Sequence, residues 1–362
     1  MLSLGFPQIY RQGPGLIDEI GNCVACFGSR PLLVIGPFEK NLIGSRIHAS
    51  LASQAITPHY FDFVGEPSPE NIDALVAKAR DTRCDFAIGI GGGKVLDASK
   101  AVKLKLGLPV VIVPTIASND AATSRLIITY NDDGTFLGPL SLDRNPDAVL
   151  VDTGVIAAAP KRYLVAGMGD GLATWFEARQ CRDSGVSNFF GGGPGETMLT
   201  LAKLCFDLIR QHGVAAIAAL SHQQITDDLE KVIEANILLS GLGFEGCGVA
   251  AAHAITQGFS LVPELHGSLH GEEVAVGLIA QLALEGRSDD FILDLLHFYR
   301  QIGLPSHLHM LGLQTVRHAH LQTIAEFACR PGSRMHNMSF PVTTEATISA
   351  LGRAERLAMS LV

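Results

Sequence analysis

Residues 86–107 have the sequence FAIGIGGGKVLDASKAVKLKLG, which predicts a strand, a glycine turn and a helix in direct succession. The apolar run before the glycines has the length and composition of a buried parallel strand. The residues after the turn carry apolar side chains at helical spacing, and Gly107 predicts the end of that helix. A strand that leads through glycines into a helix is part of a right-handed βαβ unit. The segment therefore predicts a parallel sheet covered by helices.

Neighbouring segments continue this alternation of strands and helices. Three of them predict strands because they are short and mostly apolar, namely PLLVIG (31–36), ITPHYFDF (56–63) and PVVIVPT (109–115). A fourth, NIDALVAKARDTRC (71–84), has apolar residues at helical spacing and predicts a helix.

After about residue 155 the alternation gives way to long helical segments, of which YLVAGMGDGLATWFEARQ (163–180) is the first. FFGGGPGE (189–196) predicts a loop, because four glycines and a proline do not sustain a helix. We predict two domains, an α/β domain over residues 1–157 and an all-helical domain over residues 158–362. The cleft between two such domains is a common place for a site.

Composition narrows the class of protein. The chain has 362 residues, 47% hydrophobic and 17% charged, which suits a compact two-domain enzyme. A net charge of −9 without any basic run argues against a nucleic-acid partner. No apolar stretch approaches the roughly 18 residues of a spanning helix, and the first residues lack a signal-peptide pattern, so we expect no membrane partner. Seven scattered cysteines, including a Cys23–Cys26 pair on a predicted helix, indicate reduced thiols and a cytoplasmic protein.

Two polar segments follow neighbouring strands. Glycines 91–93 with Lys94 could bring backbone N–H groups close to a phosphate, although the spacing is not the common GxGxxG pattern. The alternative is a tight turn that binds nothing. PTIASNDAATS (114–124) also lies beyond a strand end, where open α/β sheets bind ligands. A capped helix start at Ser118 or Asn119 is compatible with that interpretation.

Three residues of the second half form a candidate metal site. Asp170 lies in GMGDG at a predicted helix start, His253 lies in an apolar helix, and His270 precedes another helix. A carboxylate and two imidazoles suit zinc or ferrous iron and leave a coordination position open. Taken singly, the three residues fit a helix cap, a core histidine and a surface histidine, and His266 is a rival ligand.

Five ordered motifs show that the chain resembles the glycerol dehydrogenases, in the superfamily of iron-containing alcohol dehydrogenases and dehydroquinate synthases. They are IGIGGGKVLDASKA, PTIASNDAATS, VDTGVIAAAPKRYLVAGMGDGLATWFEA, GLGFEGCGVAAAHAI and LHGEEVAVG. The resemblance implies a dehydroquinate synthase-like fold, with a Rossmann-like dinucleotide-binding domain before a helical domain that binds metal and substrate.

The resemblance also implies roles for individual residues. It favours His270 over His266, so that Asp170, His253 and His270 match the metal ligands. Asp120 matches a catalytic aspartate beside the substrate hydroxyls. The residues that match cofactor contacts are Gly92, Gly93, Lys94, Asp97, Thr115, Ser118, Ser124, Leu126 and Tyr130.

The activity that the resemblance implies is that of a metal-dependent, NAD-linked polyol dehydrogenase. Such an enzyme oxidises glycerol to dihydroxyacetone, and similar vicinal diols. One divalent metal is implied, with zinc preferred and iron as the alternative. A small polyol is the expected substrate, and the family suggests a homo-oligomer such as an octamer.

Several departures leave alternatives open. Pro37 stands where many members have an acidic residue that rejects NADP, although Glu39 could substitute for it. Val95 and Asn119 replace expected threonines. Arg125 could favour an acidic substrate, as in a 2-oxoacid or hydroxycarboxylate reductase on the same fold, but a solvated or cofactor-facing arginine is the preferred interpretation. A catalytically silent nucleotide-binding protein is the other alternative.

Overall fold

A computed structural model describes residues 1–361, and eight strands lie within them. Their bounds are β1 (Ile9–Gly13), β2 (Pro31–Ile35), β3 (His59–Asp62), β4 (Phe86–Gly91), β5 (Val110–Pro114), β6 (Leu126–Tyr130), β7 (Phe136–Ser141) and β8 (Ala148–Asp152). Six strands form a parallel sheet in the order β1-β8-β5-β4-β2-β3, while β6 and β7 form an antiparallel hairpin.

Helices cover this sheet and make up the rest of the chain. Those of the first part are α1 (Ile20–Val24), α2 (Pro37–Ser53), α3 (Pro69–Asp81), α4 (Gly93–Leu106) and α5 (Thr153–Ala158). Those of the second part are α6 (Lys161–Ser184), α7 (Glu196–Ser221), α8 (Asp227–Glu234), α9 (Ser240–Cys247), α10 (Ala251–Phe259), α11 (His270–Leu284), α12 (Asp289–Ile302), α13 (His318–Ala328) and α14 (Thr344–Met359). A π-helical turn, Ala235–Leu239, joins α8 to α9.

The predicted fold class is confirmed. Strands β2, β4, β5 and β8 are buried along their whole length, as expected for parallel strands with helices on both faces. Alternate side chains of β2 point to opposite faces of the sheet. Leu33 packs in one cluster with Ile47 of α2, and Leu32 packs in another with Leu75 of α3. The predicted strands and long helices all form, and Val362, the last residue of the predicted helical domain, lies outside the described residues.

The order of the strands creates a crevice at one edge of the sheet. From β2 the chain adds β3 on one side and then returns to add β4 on the other side. Open α/β sheets bind ligands beyond the carboxyl ends of their strands at such a reversal. The segment after β2, which includes Glu39, and the glycine turn after β4 flank this crevice.

Two local predictions need correction. Residues 116–124 form no helix, so neither Ser118 nor Asn119 is a helix cap. The chain passes instead into the β6–β7 hairpin, which the sequence analysis did not predict. The CxxC pair is only partly helical, because Cys23 is buried in α1 while Cys26 lies exposed beyond its end. All seven cysteines are free thiols.

The glycine-rich segment 189–196 forms the predicted loop and lies against the first residues of the chain. Gly193 donates its N–H to the carbonyl of Met1 at 3.0 Å, and Asn188 Nδ2 donates to the carbonyl of Ser3 at 2.9 Å. A Cβ atom on Gly192 would lie 2.5 Å from the nitrogen of Ser3, too close for any side chain. The glycines therefore allow the backbone of residues 1–3 to approach.

Within residues 1–361, no single helix has the length and apolar composition needed to cross a membrane. One pair of helical segments, Asp227–Cys247 and Ala251–Phe259, reaches that length and apolar composition only when both segments are counted together, and the pair is sharply bent between them.

Candidate metal centre and cofactor crevice

Asp170 lies in the middle of α6, not at a helix start as the sequence analysis predicted. The glycines on either side of Asp170 allow close packing between helices. A Cβ atom on Gly169 would lie 2.3 Å from the carbonyl oxygen of Gly271, and one on Gly171 would lie 2.7 Å from the side chain of Ile209. Glycine at these positions lets α6 approach α11 and α7, so packing outweighs the low helix propensity of glycine.

This close approach brings the three predicted ligands together. His253 is the third residue of α10, and His270 is the first residue of α11. Their Nε2 atoms lie 3.6 and 3.8 Å from Asp170 Oδ1, and one candidate ligand atom from each residue lies within 4.8 Å of the others. His266 is not part of this cluster, because its Nε2 atom lies 3.0 Å from the carbonyl of Ser260.

The buried carboxylate of Asp170 is the feature that best indicates a metal site. Asp170 is 1% exposed, and neither carboxylate oxygen has a hydrogen-bond partner among residues 1–361. The imidazoles of His253 and His270 lie near enough to stabilise its charge but too far to donate hydrogen bonds, and metal coordination would satisfy both oxygens. An oxygen and two imidazole nitrogens suit zinc or ferrous iron. The three residues therefore fit a divalent metal.

The sequence analysis missed a fourth member of the centre, Glu177. Its Oε2 atom lies 2.6 Å from His253 Nδ1, and its Oε1 atom accepts the N–H groups of Ala250 and His253 at 2.8 and 3.0 Å. A carboxylate at Nδ1 fixes the ring and leaves Nε2 free to bind metal. Glu177 lies two turns after Asp170 on α6, and this seven-residue spacing was the signal that could have identified it.

The carboxylates and imidazoles shift one another's pKa values. Burial raises the pKa of Asp170, but the charges of His270 and His253 outweigh burial and hold it below its usual value. Burial lowers the pKa of His253, but Glu177 and Asp170 hold it well above its usual value. Burial and the charge of Asp170 raise the pKa of Asp120 well above its usual value. A cation bound among these groups would favour the ionised form of both aspartates and the neutral form of both imidazoles.

Asp120 lies in a loop, residues 116–124, that we call the anchored loop. No residue of this loop makes a main-chain to main-chain hydrogen bond within the described part of the chain. Side chains hold its carbonyl groups instead. Lys100, fully buried in α4, donates to the carbonyl of Ala121 at 2.5 Å, and Asn236 donates to that of Ala117 at 3.1 Å. The carbonyls that a helix would use are thus occupied, which explains why no helix begins here.

Further side chains hold the end of this loop against α9. Thr123 Oγ1 donates to the carbonyl of Ile237 at 2.8 Å, in the π-helical turn. Asn145 Nδ2 donates to the carbonyl of Thr123 at 3.0 Å, and Glu245 Oε1 accepts the N–H of Arg125 at 2.7 Å. Both parts of the chain therefore contribute to the position of the anchored loop.

The carboxylate of Asp120 accepts one hydrogen bond from the described part of the chain. Ser240 Oγ donates to Asp120 Oδ2 at 2.7 Å, while Oδ1 makes no hydrogen bond to any residue in 1–361. Asp120 thus offers one free carboxylate oxygen beside the metal ligands.

The predicted cofactor residues share one edge of the sheet. Gly92 precedes α4, and no side chain caps this helix, so its first N–H groups are available to a phosphate. Gly91 has φ +157°, and a Cβ atom there would lie 2.7 Å from the side chain of Val95. Gly93 faces Asn119, whose Nδ2 atom would lie 3.3 Å from an added Cβ. Asn119 thus lines the start of α4 in place of the expected threonine.

The other predicted contacts surround this turn. Lys94 forms an ion pair with Glu66, and Thr115 follows β5 directly. Ser118 and Ser124 are buried in the anchored loop, and Leu126 and Tyr130 are the ends of β6.

Asp97 differs from the other predicted cofactor contacts, because protein donors occupy both of its carboxylate oxygens. Lys100 Nζ lies 3.0 Å from Oδ1, and the N–H of Ile128 lies 3.0 Å from Oδ2. In this structure Asp97 joins α4 to β6.

Arg125 is neither solvated nor directed at the crevice, contrary to the preferred interpretation of the sequence. Its guanidinium donates to the carbonyl of Phe189 and stacks on the ring of Phe190, 4.7 Å from the centroid. The glycine-rich loop therefore engages this side chain.

Comparison with known proteins identifies the family. Residues 7–153 match the family described as iron-containing alcohol dehydrogenase. The chain is 43% identical to a glycerol dehydrogenase of Thermotoga maritima over 97% of this chain and 96% of the relative. It is 41% identical to a glycolaldehyde reductase of Halobacterium salinarum over the same shares of both chains. The crystal structure of glycerol dehydrogenase from Schizosaccharomyces pombe aligns with a TM-score of 0.95 and 32% identity, over 99% of this chain and 92% of that one.

The chain belongs to the iron-containing alcohol dehydrogenase family. The resemblance inferred from the five motifs is confirmed, and the protein is an alcohol oxidoreductase. Membership implies a nicotinamide cofactor and a divalent metal.

A test of the metal centre is the substitution Glu177→Gln. An amide has one acceptor oxygen and cannot satisfy the three donors that Glu177 accepts, so the orientation of His253 is lost. We expect the affinity for zinc to fall about 10- to 100-fold. Competition with a chelator, read by elemental analysis, measures this change.

The matched control is Glu355→Gln, which changes another largely buried carboxylate that accepts a backbone N–H, that of Leu308. Glu355 lies outside the metal centre, so the control variant should retain its zinc. Equal zinc affinity in the Glu177 variant and the wild type would contradict the role given to Glu177.

Proposed function

We propose that the protein is an NAD-linked, metal-dependent polyol dehydrogenase that oxidises glycerol to dihydroxyacetone, and similar vicinal diols. The observation that carries the proposal is the partnerless carboxylate of Asp170 between two histidines, with a free oxygen of Asp120 nearby. The names of the relatives support glycerol as the substrate. A substrate with two neighbouring hydroxyls suits a site that offers both a metal and a hydrogen-bond acceptor.

Asp170, His253 and His270 would hold the metal. A divalent ion bound there supplies Lewis acidity, which lowers the pKa of an alcohol hydroxyl. We prefer zinc, because one carboxylate and two imidazoles form a common catalytic zinc set, and iron is the alternative. The hydrogen bond to Glu177 orients the ring of His253 and would favour the tautomer with a proton on Nδ1, which leaves the lone pair of Nε2 for the metal.

Asp120 would bind and orient the substrate. Its free Oδ1 can accept a hydrogen bond from a substrate hydroxyl and receive a proton from it. A divalent ion bound beside Asp120 would favour its ionised form, and that charge disfavours a carboxylate substrate. The guanidinium of Arg125 is engaged by Phe189 and Phe190, so it does not supply the cation that a 2-oxoacid would require. Both observations favour a neutral polyol over the 2-oxoacid alternative.

The cofactor would lie across the crevice between β2 and β4. A nicotinamide cofactor held there would supply the hydride acceptor for alcohol oxidation. The uncapped start of α4 would bind the pyrophosphate through Gly92, Gly93 and Lys94. We assign residues 1–157 to cofactor binding and residues 158–362 to metal and substrate binding. A cytoplasmic location and a homo-oligomer, such as an octamer, remain predictions.

The direct test is steady-state reduction of NAD with glycerol, before and after chelation and after addition of zinc. We expect turnover to disappear with the metal and to return with zinc, because the alcohol must lose its proton before hydride transfer. Glycolaldehyde reduction with NADH is a second arm, since one relative is a glycolaldehyde reductase.

The variant Asp120→Asn serves as the control for the assignment of the site. It should lower turnover about 100-fold or more while metal content is unchanged. Undiminished turnover in fully metal-free protein would contradict the proposal, as would reduction of 2-oxoacids without any activity on polyols.

Glu39 is the group expected to set the preference for NAD. Its Oε2 atom would lie 2.4 Å from a Cβ added to Gly36, and Oε1 lies 3.4 Å from Thr115 Oγ1. The carboxylate therefore lies beside the carboxyl ends of β2 and β5, although Pro37 occupies the usual acidic position. A negative charge at this edge repels the 2′-phosphate of NADP.

The substitution Glu39→Gln removes the charge and keeps the shape of the side chain. We expect the ratio of kcat/KM for NAD over NADP to fall about tenfold or more, through a lower KM for NADP. The control is Glu70→Gln. Glu70 lies in the first turn of α3, as Glu39 lies in the first turn of α2, but Glu70 is exposed. An unchanged ratio in the Glu39 variant would exclude it as the selecting group.

A further inference from the structure

A π-helical turn lies beside the proposed active site. It spans Ala235–Leu239 and separates α8 from α9. Such turns are rare and often occur at functional sites. An extra residue in a helix rotates everything after it by about 100° around the axis. Ser240 is the first residue after the turn, so this rotation determines where its hydroxyl points.

The hydroxyl of Ser240 lies in a buried chain of hydrogen bonds. It is 2.7 Å from Asp120 Oδ2 and 2.9 Å from Thr174 Oγ1, and Ser240 is 0% exposed. A carboxylate oxygen can only accept, so Ser240 donates to Asp120 and accepts from Thr174. Thr174 lies one turn after Asp170 on α6. The chain of bonds therefore joins the helix that carries a predicted metal ligand to the side chain of Asp120.

No other group within residues 1–361 donates to the carboxylate of Asp120. The loop around it has no main-chain hydrogen bonds of its own. The rotation of the Asp120 side chain, and hence the position of the free Oδ1, depends on the bond from Ser240.

We propose that Ser240 is a positioning residue for alcohol oxidation: it holds Oδ2 of Asp120 so that Oδ1 remains directed at the substrate. This inference rests on the proposed function, because it assumes that Asp120 contacts the substrate. Ser240 touches neither metal ligand nor cofactor residue through its hydroxyl, so it acts only through Asp120.

The test is a double-mutant cycle with Ser240→Ala, Asp120→Ala and the pair together. In the zinc-loaded enzyme, Ser240→Ala should lower kcat/KM for glycerol about 10- to 100-fold, as for loss of a hydrogen bond to a charged group. Zinc content and the dissociation constant of NADH should stay within about twofold of the wild type. In the Asp120→Ala background, the same change should lower kcat/KM less than about twofold, because no carboxylate is left to position.

The matched control is Ser50→Ala, a buried helical serine of α2 whose hydroxyl accepts the N–H of Gly21. It should leave kcat/KM within about twofold of the wild type. If Asp120→Ala lowers turnover below detection, the cycle can be measured on melting temperatures. The decrease in melting temperature caused by Ser240→Ala should then be clearly smaller in the Asp120→Ala background than in the wild type.

The two proposals fail in different ways. Absence of glycerol turnover in the zinc-loaded wild type would overturn the proposed function. Suppose that the wild type turns over glycerol and that Asp120 is essential. If Ser240→Ala then lowers kcat/KM by the same factor with and without Asp120, the role of Ser240 is overturned. Loss of zinc from Ser240→Ala would also overturn it, since the residue would then act through the metal centre.

Discussion

The helical part of the protein is organised around a carboxylate that no protein group satisfies. Asp170 is buried in the middle of a 24-residue helix, and neither of its oxygens has a hydrogen-bond donor. The two neighbouring imidazoles stabilise its charge, and a bound cation would satisfy its oxygens directly. Glycines on α6 and α11 bring the helices close enough for His270 to reach it, and Glu177 fixes the ring of His253. The backbone packing and the side-chain network therefore both serve one metal centre.

A second constraint connects this centre to the sheet. The anchored loop has no main-chain hydrogen bonds, so its conformation depends on side chains from both parts of the chain. Lys100 holds it from α4, and Asn236 and Ser240 hold it from the helical part. Since Asp120 lies in this loop, a shift of either part would move its carboxylate relative to Asp170, His253 and His270.

Much of the fold was predictable because its signals are local. Buried parallel strands such as PLLVIG are continuous apolar runs, and the glycine turn after FAIGI marks the start of α4. The three predicted metal ligands also lie together, although only the resemblance favoured His270 over His266. The site's chemistry could be inferred because few other roles suit an aspartate and two histidines in these motifs.

The errors arose where tertiary packing outweighs local preference. Asp170 was expected at a helix start but lies in the middle of α6, where its two neighbouring glycines allow contact between helices. A helix start was one interpretation of residues 116–124, but they form no helix, and side chains distant in sequence bind two of their carbonyl groups. Glu177 had a visible seven-residue spacing from Asp170, while the π-helical turn before Ser240 has no signal that a periodicity analysis detects. Interactions between distant segments are not encoded in local patterns.

The most direct test of the account is anomalous diffraction at the zinc edge from crystals of the zinc-loaded enzyme. The account predicts one strong peak per chain, with Asp170, His253 and His270 as ligands at about 2.0–2.2 Å. A catalytically active, zinc-loaded crystal whose peak lies at other residues would contradict it.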